Sequence, residues 1–219
     1  MKNIQAIFWD CDGTLVDSEK QFFAACRKVF KKYNVEITDQ FISEENFTKN
    51  ITVFELLRRA GYPEETILEA KKERNDVYAE ILNESVEAIA GIDEILTLLH
   101  GKIPMAVVSN SYHRHLDIIL KKSRLAHYFD FVVASEDVEH VKPNPEPYIQ
   151  AVTKVGIKPE NGLAIEDNIR GVIAAKGAGL TCFLVPNEMT RKQDYHYADR
   201  VFGNAYELLD YFKAISNSS

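Results

Sequence analysis

The stretch Ile4-Gln5-Ala6-Ile7-Phe8-Trp9-Asp10-Cys11-Asp12-Gly13-Thr14 is a short, bulky apolar run that stops at two aspartates and a glycine. That pattern predicts a buried strand ending in a glycine turn. Residues 18–33 then change period. Phe22, Cys26, Val29 with Phe30, and Tyr33 recur every three or four positions, so an amphipathic helix follows, with Asp17 or Ser18 as its cap. From there to about residue 90 the pattern is helical throughout. Val53, Leu56, Leu57 and Ala60 form one stripe ending at Gly61. Pro63-Glu64-Glu65 opens a further helix whose inner face would carry Ile67, Ala70, Val77, Tyr78 and Ile81.

After Gly91 helices and strands alternate. Helices are predicted at 92–100, 112–123, 146–155, 169–177 and 205–214, and strands at 104–108, 130–134, 162–166 and 180–185. Near-continuous apolar strands alternating with helices imply an α/β, doubly wound (Rossmann-like) parallel sheet covered on both faces. The first strand stands apart from the others. The expected domains are therefore a core of 1–15 and 91–219 and a small all-helical cap of 16–90 inserted after the first strand.

The 219 residues include 26 Lys+Arg and 33 Asp+Glu, a net charge of −7. The insertion carries 11 basic and 15 acidic residues, so it is no basic module. Neither nucleic acid nor a membrane is an expected partner. The longest apolar runs, such as Ile103-Pro104-Met105-Ala106-Val107-Val108, fall far short of the roughly 18 residues of a membrane span. Cys11, Cys26 and Cys182 are odd in number and scattered, suggesting neither a disulfide framework nor a zinc site. A cytoplasmic globular protein, a monomer or weak dimer, is the expectation.

In open parallel sheets ligands bind beyond the carboxyl ends of the strands. The first strand ends in Asp10 and Asp12, the second in Ser109-Asn110-Ser111, and the fourth in Glu166-Asp167-Asn168. The loop after the third carries Lys142 among prolines. Two unit charges 4 Å apart repel by about 4 kcal/mol at an effective dielectric of 20. A hard divalent cation relieves this, and Mg²⁺ suits one or two carboxylates together with substrate phosphate oxygens. Asp10 and Asp167, with Glu166 close behind, are the ligand candidates. Asp10 is then a candidate nucleophile toward phosphorus and Asp12 a candidate acid and base. Ser109 and backbone N–H groups near Asn110 and Gly13 are candidate phosphate contacts, with Thr14 beside them in the turn. Lys142 can supply positive charge at the transferring group.

The order of these segments resembles the haloacid dehalogenase superfamily of phosphatases and phosphomutases. Phe8-Trp9-Asp10-Cys11-Asp12-Gly13-Thr14-Leu15-Val16-Asp17 is similar to its first motif and Val108-Ser109-Asn110-Ser111 to its second. Val141-Lys142-Pro143-Asn144-Pro145 is similar to its third motif. Ile165-Glu166-Asp167-Asn168, with Gly171, Ala174, Ala175 and Gly179, is similar to its fourth. The helical insertion is similar to the family's cap placed directly after motif one. The resemblance implies Asp10 as nucleophile, Asp12 as acid and base, and Ser109 and Lys142 as phosphate contacts. It also implies Mg²⁺ held by Asp10, the Asp12 main-chain carbonyl and Asp167, with Glu166 assisting. Asn168 departs from the Ser or Thr commoner there.

Two positions select within the superfamily. Its dehalogenases lack the second aspartate of motif one, which this chain keeps as Asp12. Its β-phosphoglucomutase branch carries a cap histidine twelve residues after the nucleophile, where this chain has Phe22. A phosphatase acting on a small phosphorylated metabolite through an aspartyl-phosphate is therefore expected, with a sugar phosphomutase as the alternative. In the cap, Lys49 and Asn50 are candidate substrate contacts, replacing a Gly-containing loop with an Arg in the mutase branch. The His113-Arg114-His115 tract is expected on a solvated helix face. A receiver-like switch is disfavoured because the acceptor carboxylate sits on the first strand. Dinucleotide or Walker-type binding lacks its glycine signature.

Overall fold

Ala6–Trp9 forms β1, and all four of its residues are buried. It lies at the centre of a six-stranded sheet in the computed structural model, which describes residues 4–47, 49 and 51–216. The other strands are β2 (Met105–Val108), β3 (Phe131–Val133), β4 (Gly162–Glu166), β5 (Thr181–Leu184) and β6 (Arg200–Val201). Their order is β3-β2-β1-β4-β5-β6, and every pairing is parallel. The chain moves outward in both directions from β1, so β1 is the switch point where ligands bind in such sheets. Trp9 sits opposite Val107 on one side and Ile165 on the other. That register brings the ends of β1, β2 and β4 level at one edge.

Pleating sends alternate residues to opposite faces. Ala6, Phe8, Ala106, Val108 and Ala164 share one cluster with Tyr148 and Ala151 of α6 (Glu146–Val155) and Val172 and Ala175 of α7 (Ile169–Gly177). Burying each large side chain of such a cluster stabilises the fold by about 1.5–3 kcal/mol. Ile7 and Trp9 point the other way and are equally buried. Beyond them, α4 (Ile92–Leu99) and α8 (Ala205–Ser216) pack against one another through apolar faces such as Ile95 and Leu208. Between them in sequence, α5 (His113–Lys122) follows β2.

The chain divides into two compact units, 1–17 with 87–219 and 18–86. The boundaries lie a few residues inside the expected insertion because its ends pair with the core's first loop. Gly13 N donates to Val16 O (2.8 Å), Ile89 N to Leu15 O (2.9 Å), and Val16 bridges to Ala88.

The second unit is helical, with α1 (Glu19–Phe30) packed on α3 (Glu64–Glu84), and α2 (Glu55–Arg59) between them in sequence. Helix α1 stops three residues before the predicted end. A 3₁₀ turn at Lys31–Tyr33 leads to Asn34 in the left-handed region (φ 51°), a conformation asparagine tolerates. Ser18 occupies the N-cap position without a side-chain capping bond. On α3 the buried position is Leu82, and Ile81 is only half-buried. The strand β6, two exposed residues at the sheet edge, has no counterpart among the predicted elements.

Candidate active site

The turn after β1 is built around Gly13, whose φ of 87° favours glycine. A Cβ there would also stand 2.7 Å from Asn187 Nδ2 and collide with Asp167 Oδ2. The missing side chain is thus what lets the first turn approach the end of β4. Asp10, Glu166 and Asp167 are buried, and their carboxylate oxygens converge to within 4.8 Å of one another.

Lys142 enters this acidic cluster from the loop before α6. Its Nζ donates to Asp10 Oδ1 (2.7 Å), Glu166 Oε1 (2.6 Å) and the Val108 carbonyl (2.7 Å). A lysine ammonium has three N–H groups, so all three are taken by protein oxygens. Lys142 thus holds Asp10 by one of its three donors. Burial alone would lower its pKa, but Asp10 and Glu166 overcome that and raise it, so Lys142 is cationic throughout the neutral range. The Tyr148 ring lies 4.8 Å from Nζ, and its hydroxyl donates to Glu166 Oε1 (2.6 Å). Burial, then the Glu166 and Asp10 charges, push the Tyr148 hydroxyl well above its ordinary pKa, keeping it a donor.

Asn110 fixes the loop that carries this lysine. Its Nδ2 donates to Lys142 O (3.0 Å) while its Oδ1 accepts from Lys142 N (2.9 Å). The Asn110 side chain is therefore a clamp on Lys142. Asp12 is half-buried. Its Oδ2 accepts from Ser111 Oγ (2.7 Å) and, more weakly, from Ser109 Oγ (3.3 Å). Ser109 Oγ also accepts from Ser111 N (3.0 Å). Thr14 is buried, and among the described residues its Oγ1 has no hydrogen-bond partner.

On the β4 side, α7 begins at Asn168, whose Oδ1 caps Arg170 N and Gly171 N while its Nδ2 donates to Asp167 Oδ1 (2.5 Å). An amide at this position serves both ends, which accounts for asparagine here. Gly171 lies against Glu166, where any Cβ would overlap the carboxyl group. Asp167 Oδ2 accepts from Asn187 Nδ2 (2.9 Å), on the loop after β5.

These acids fit a hard divalent cation. Three buried carboxylates converge and Lys142 bonds two of them, and burial, opposed by Lys142 and reinforced by Glu166 and Asp12, pushes Asp10 well above the usual carboxylate range. Glu166 Oε2 is buried with no hydrogen-bond partner among the described residues. Oxygen donors, a charge deficit and an unsatisfied carboxylate oxygen are what such an ion needs.

The chain matches the family model described as "Haloacid dehalogenase-like hydrolase" over residues 7–185. The chain belongs to that family. Its members generally use a divalent metal, in keeping with the acidic cluster. A 6-phosphogluconate phosphatase of Escherichia coli is 27% identical over 219 residues, covering 98% of this chain and 97% of that protein. A fructose-1-phosphate phosphatase of the same organism is 28% identical over 174 residues, 80% and 92% of the two chains. The crystal structure of CbbY from Rhodobacter sphaeroides in complex with phosphate is 25% identical, with a TM-score of 0.80 over 94% and 96% of the chains. Within the family this chain is a phosphoric monoester hydrolase.

Three features of the site escaped the sequence reading. Tyr148, Asn187 and the bond from Ser111 to Asp12 involve residues with no chemical signature of their own position. Only Tyr148, six residues after Lys142 on the inner face of α6, carried a signal, as a tyrosine in an apolar stripe. In the second unit Lys49 is exposed, with its N–H donating to Glu45 O (3.2 Å). Asn50 lies outside the described residues. The His113-Arg114-His115 tract is not uniformly solvated. His115 is buried beside the Tyr112 ring, and His113 Nε2 pairs with Asp137 Oδ2 at 2.8 Å.

Proposed function

We propose that the chain is a Mg²⁺-dependent phosphatase of a small phosphorylated sugar or sugar acid, working through an aspartyl-phosphate on Asp10. The observation that carries this is Asp10 held by Lys142 at the switch point of the sheet, with Asp12 two residues on and two further buried acids beside it. Lys142 grips Oδ1 and fixes the carboxylate, leaving Oδ2 as the oxygen that attacks phosphorus. The new Oδ–P bond forms as the ester P–O bond breaks, and Asp12 gives its proton to the departing sugar oxygen. Asp12 then takes a proton from water. The water oxygen bonds to phosphorus, the Oδ–P bond breaks, and inorganic phosphate leaves with Asp10 restored. Ser111 and Ser109 orient Asp12 for both transfers. Asp10, the Asp12 carbonyl and Asp167 would hold Mg²⁺, with Glu166 assisting; when bound, the ion neutralises charge between the acids and an anionic ester.

The sugar class rests on the names of the relatives. Phe22 supports hydrolysis over the mutase alternative. Its ring packs edge-on against Tyr78 (5.6 Å) under the Arg74 guanidinium (4.4 Å), so no imidazole stands there. Turnover of a panel of sugar phosphates, sugar-acid phosphates, phosphoglycolate and nucleoside monophosphates tests both points. Release of free phosphate from sugar esters is expected. Interconversion of two sugar monophosphates with little free phosphate would overturn the phosphatase reading.

A further inference from the structure

Asp167 is gripped at both carboxylate oxygens by asparagine amides of the same design. Asn168 Nδ2 donates to Oδ1 and Asn187 Nδ2 to Oδ2. The first follows directly from the α7 cap. The second comes from the irregular segment between β5 and β6, twenty residues away in sequence, and nothing in the expected chemistry accounts for it.

The amide of Asn187 is oriented, not merely near. Its Oδ1 accepts from Met189 N (2.8 Å) and Thr190 N (3.2 Å), closing the turn that asparagine favours. Reversing the amide would lose both bonds and set two oxygens against each other, so the network assigns Nδ2 to Asp167. The turn itself is anchored. Asn187 N donates to the Oγ1 of Thr190 (3.0 Å), a residue with no exposed surface. The Tyr195 hydroxyl bonds Thr190 O, and Gln193 Oε1 accepts from Ile169 N (2.8 Å), tying the segment to the start of α7. The absent Cβ of Gly13 leaves space for the same amide.

We infer that Asn187 is a positioning residue for Asp167, the carboxylate proposed to bind the metal: it fixes the rotation of that carboxylate and so sets how it meets a divalent cation. This rests on the Mg²⁺ reading above. Groups that orient a ligand in this way typically change metal affinity by about 10–100-fold when removed.

The test is Mg²⁺ binding, without substrate, by isothermal titration calorimetry on four full-length proteins. Asn187→Ala removes the amide. Asn187→Ser keeps a side-chain oxygen for the turn but cannot reach Asp167, which guards against a loop that fails to fold. Gln193→Ala loosens the same segment by removing its bond to Ile169 N while leaving the Asn187 amide in place. The expected result is Mg²⁺ binding by the unaltered protein, weakened about tenfold or more in both Asn187 variants and unchanged in Gln193→Ala. Equal affinity in Asn187→Ser and the unaltered protein overturns the inference, as does an equal loss in Gln193→Ala. No binding by the unaltered protein overturns the Mg²⁺ reading on which it stands.

Discussion

The helical unit and the strand-end cluster of the α/β unit carry charge in opposite ways. In the helical unit, pairs such as Lys28–Glu80 (3.8 Å) and Arg59–Glu45 (2.8 Å) join exposed or half-exposed side chains across the surface. In the α/β unit, Lys142 meets Asp10 and Glu166 with side-chain exposures of only 3%, 9% and 0%. Water screens the first set and competes for each partner, so single pairs there contribute little. The second set has exchanged water for one another, and losing one member strands a buried charge. The contrast separates charges that stay in water from charges that meet one another out of it.

The largest effect is expected on removing the cation of the buried set. Lys142→Met leaves Asp10 and Glu166 facing each other, and denaturant unfolding should show a loss of roughly 3–5 kcal/mol, with phosphatase activity gone. A stable, active Lys142→Met would erase the distinction between the units. Metal comes next. Mg²⁺ at a hundred times its dissociation constant should stabilise the protein by about 2.7 kcal/mol, and chelation should reverse this along with turnover. A melting temperature indifferent to Mg²⁺ would leave the buried acids without their proposed counter-ion. Gly171→Ala puts a methyl group into the Glu166 carboxyl and should cost about 1–3 kcal/mol by overpacking, with weaker Mg²⁺ binding. The smallest change is expected in the helical unit, where Glu80→Gln should leave the melting temperature unmoved within error. Lys49→Ala should likewise preserve stability while altering the ranking of phosphate esters by kcat/KM. An unchanged ranking would remove Lys49 from substrate recognition.

The same contrast explains what the sequence made legible. The strands are contiguous apolar runs, and strand ends fall at one edge of a parallel sheet, so the sequence alone groups Asp10, Ser109 and Glu166. Pairings between loops are different. Asn110 clamping Lys142, Tyr148 reaching Glu166 and Asn187 reaching Asp167 join segments separated by 18 to 32 residues. No local period encodes them, because each depends on how two turns close. The slip from Leu82 to Ile81 on α3 has a milder cause. Positions three and four residues after Tyr78 both lie near its face, and packing against α1 decides between them.

The central claim is that Asp10 carries phosphate covalently. Its most direct test is a rapid acid quench of the enzyme turning over a radiolabelled sugar phosphate with Mg²⁺, followed by peptide mapping. The account predicts label on the peptide containing Asp10, labile to hydroxylamine as an acyl phosphate is, and absent from Asp10→Asn, whose turnover should fall on the order of 10⁴-fold or more. No covalent label, together with full turnover by Asp10→Asn, would contradict it.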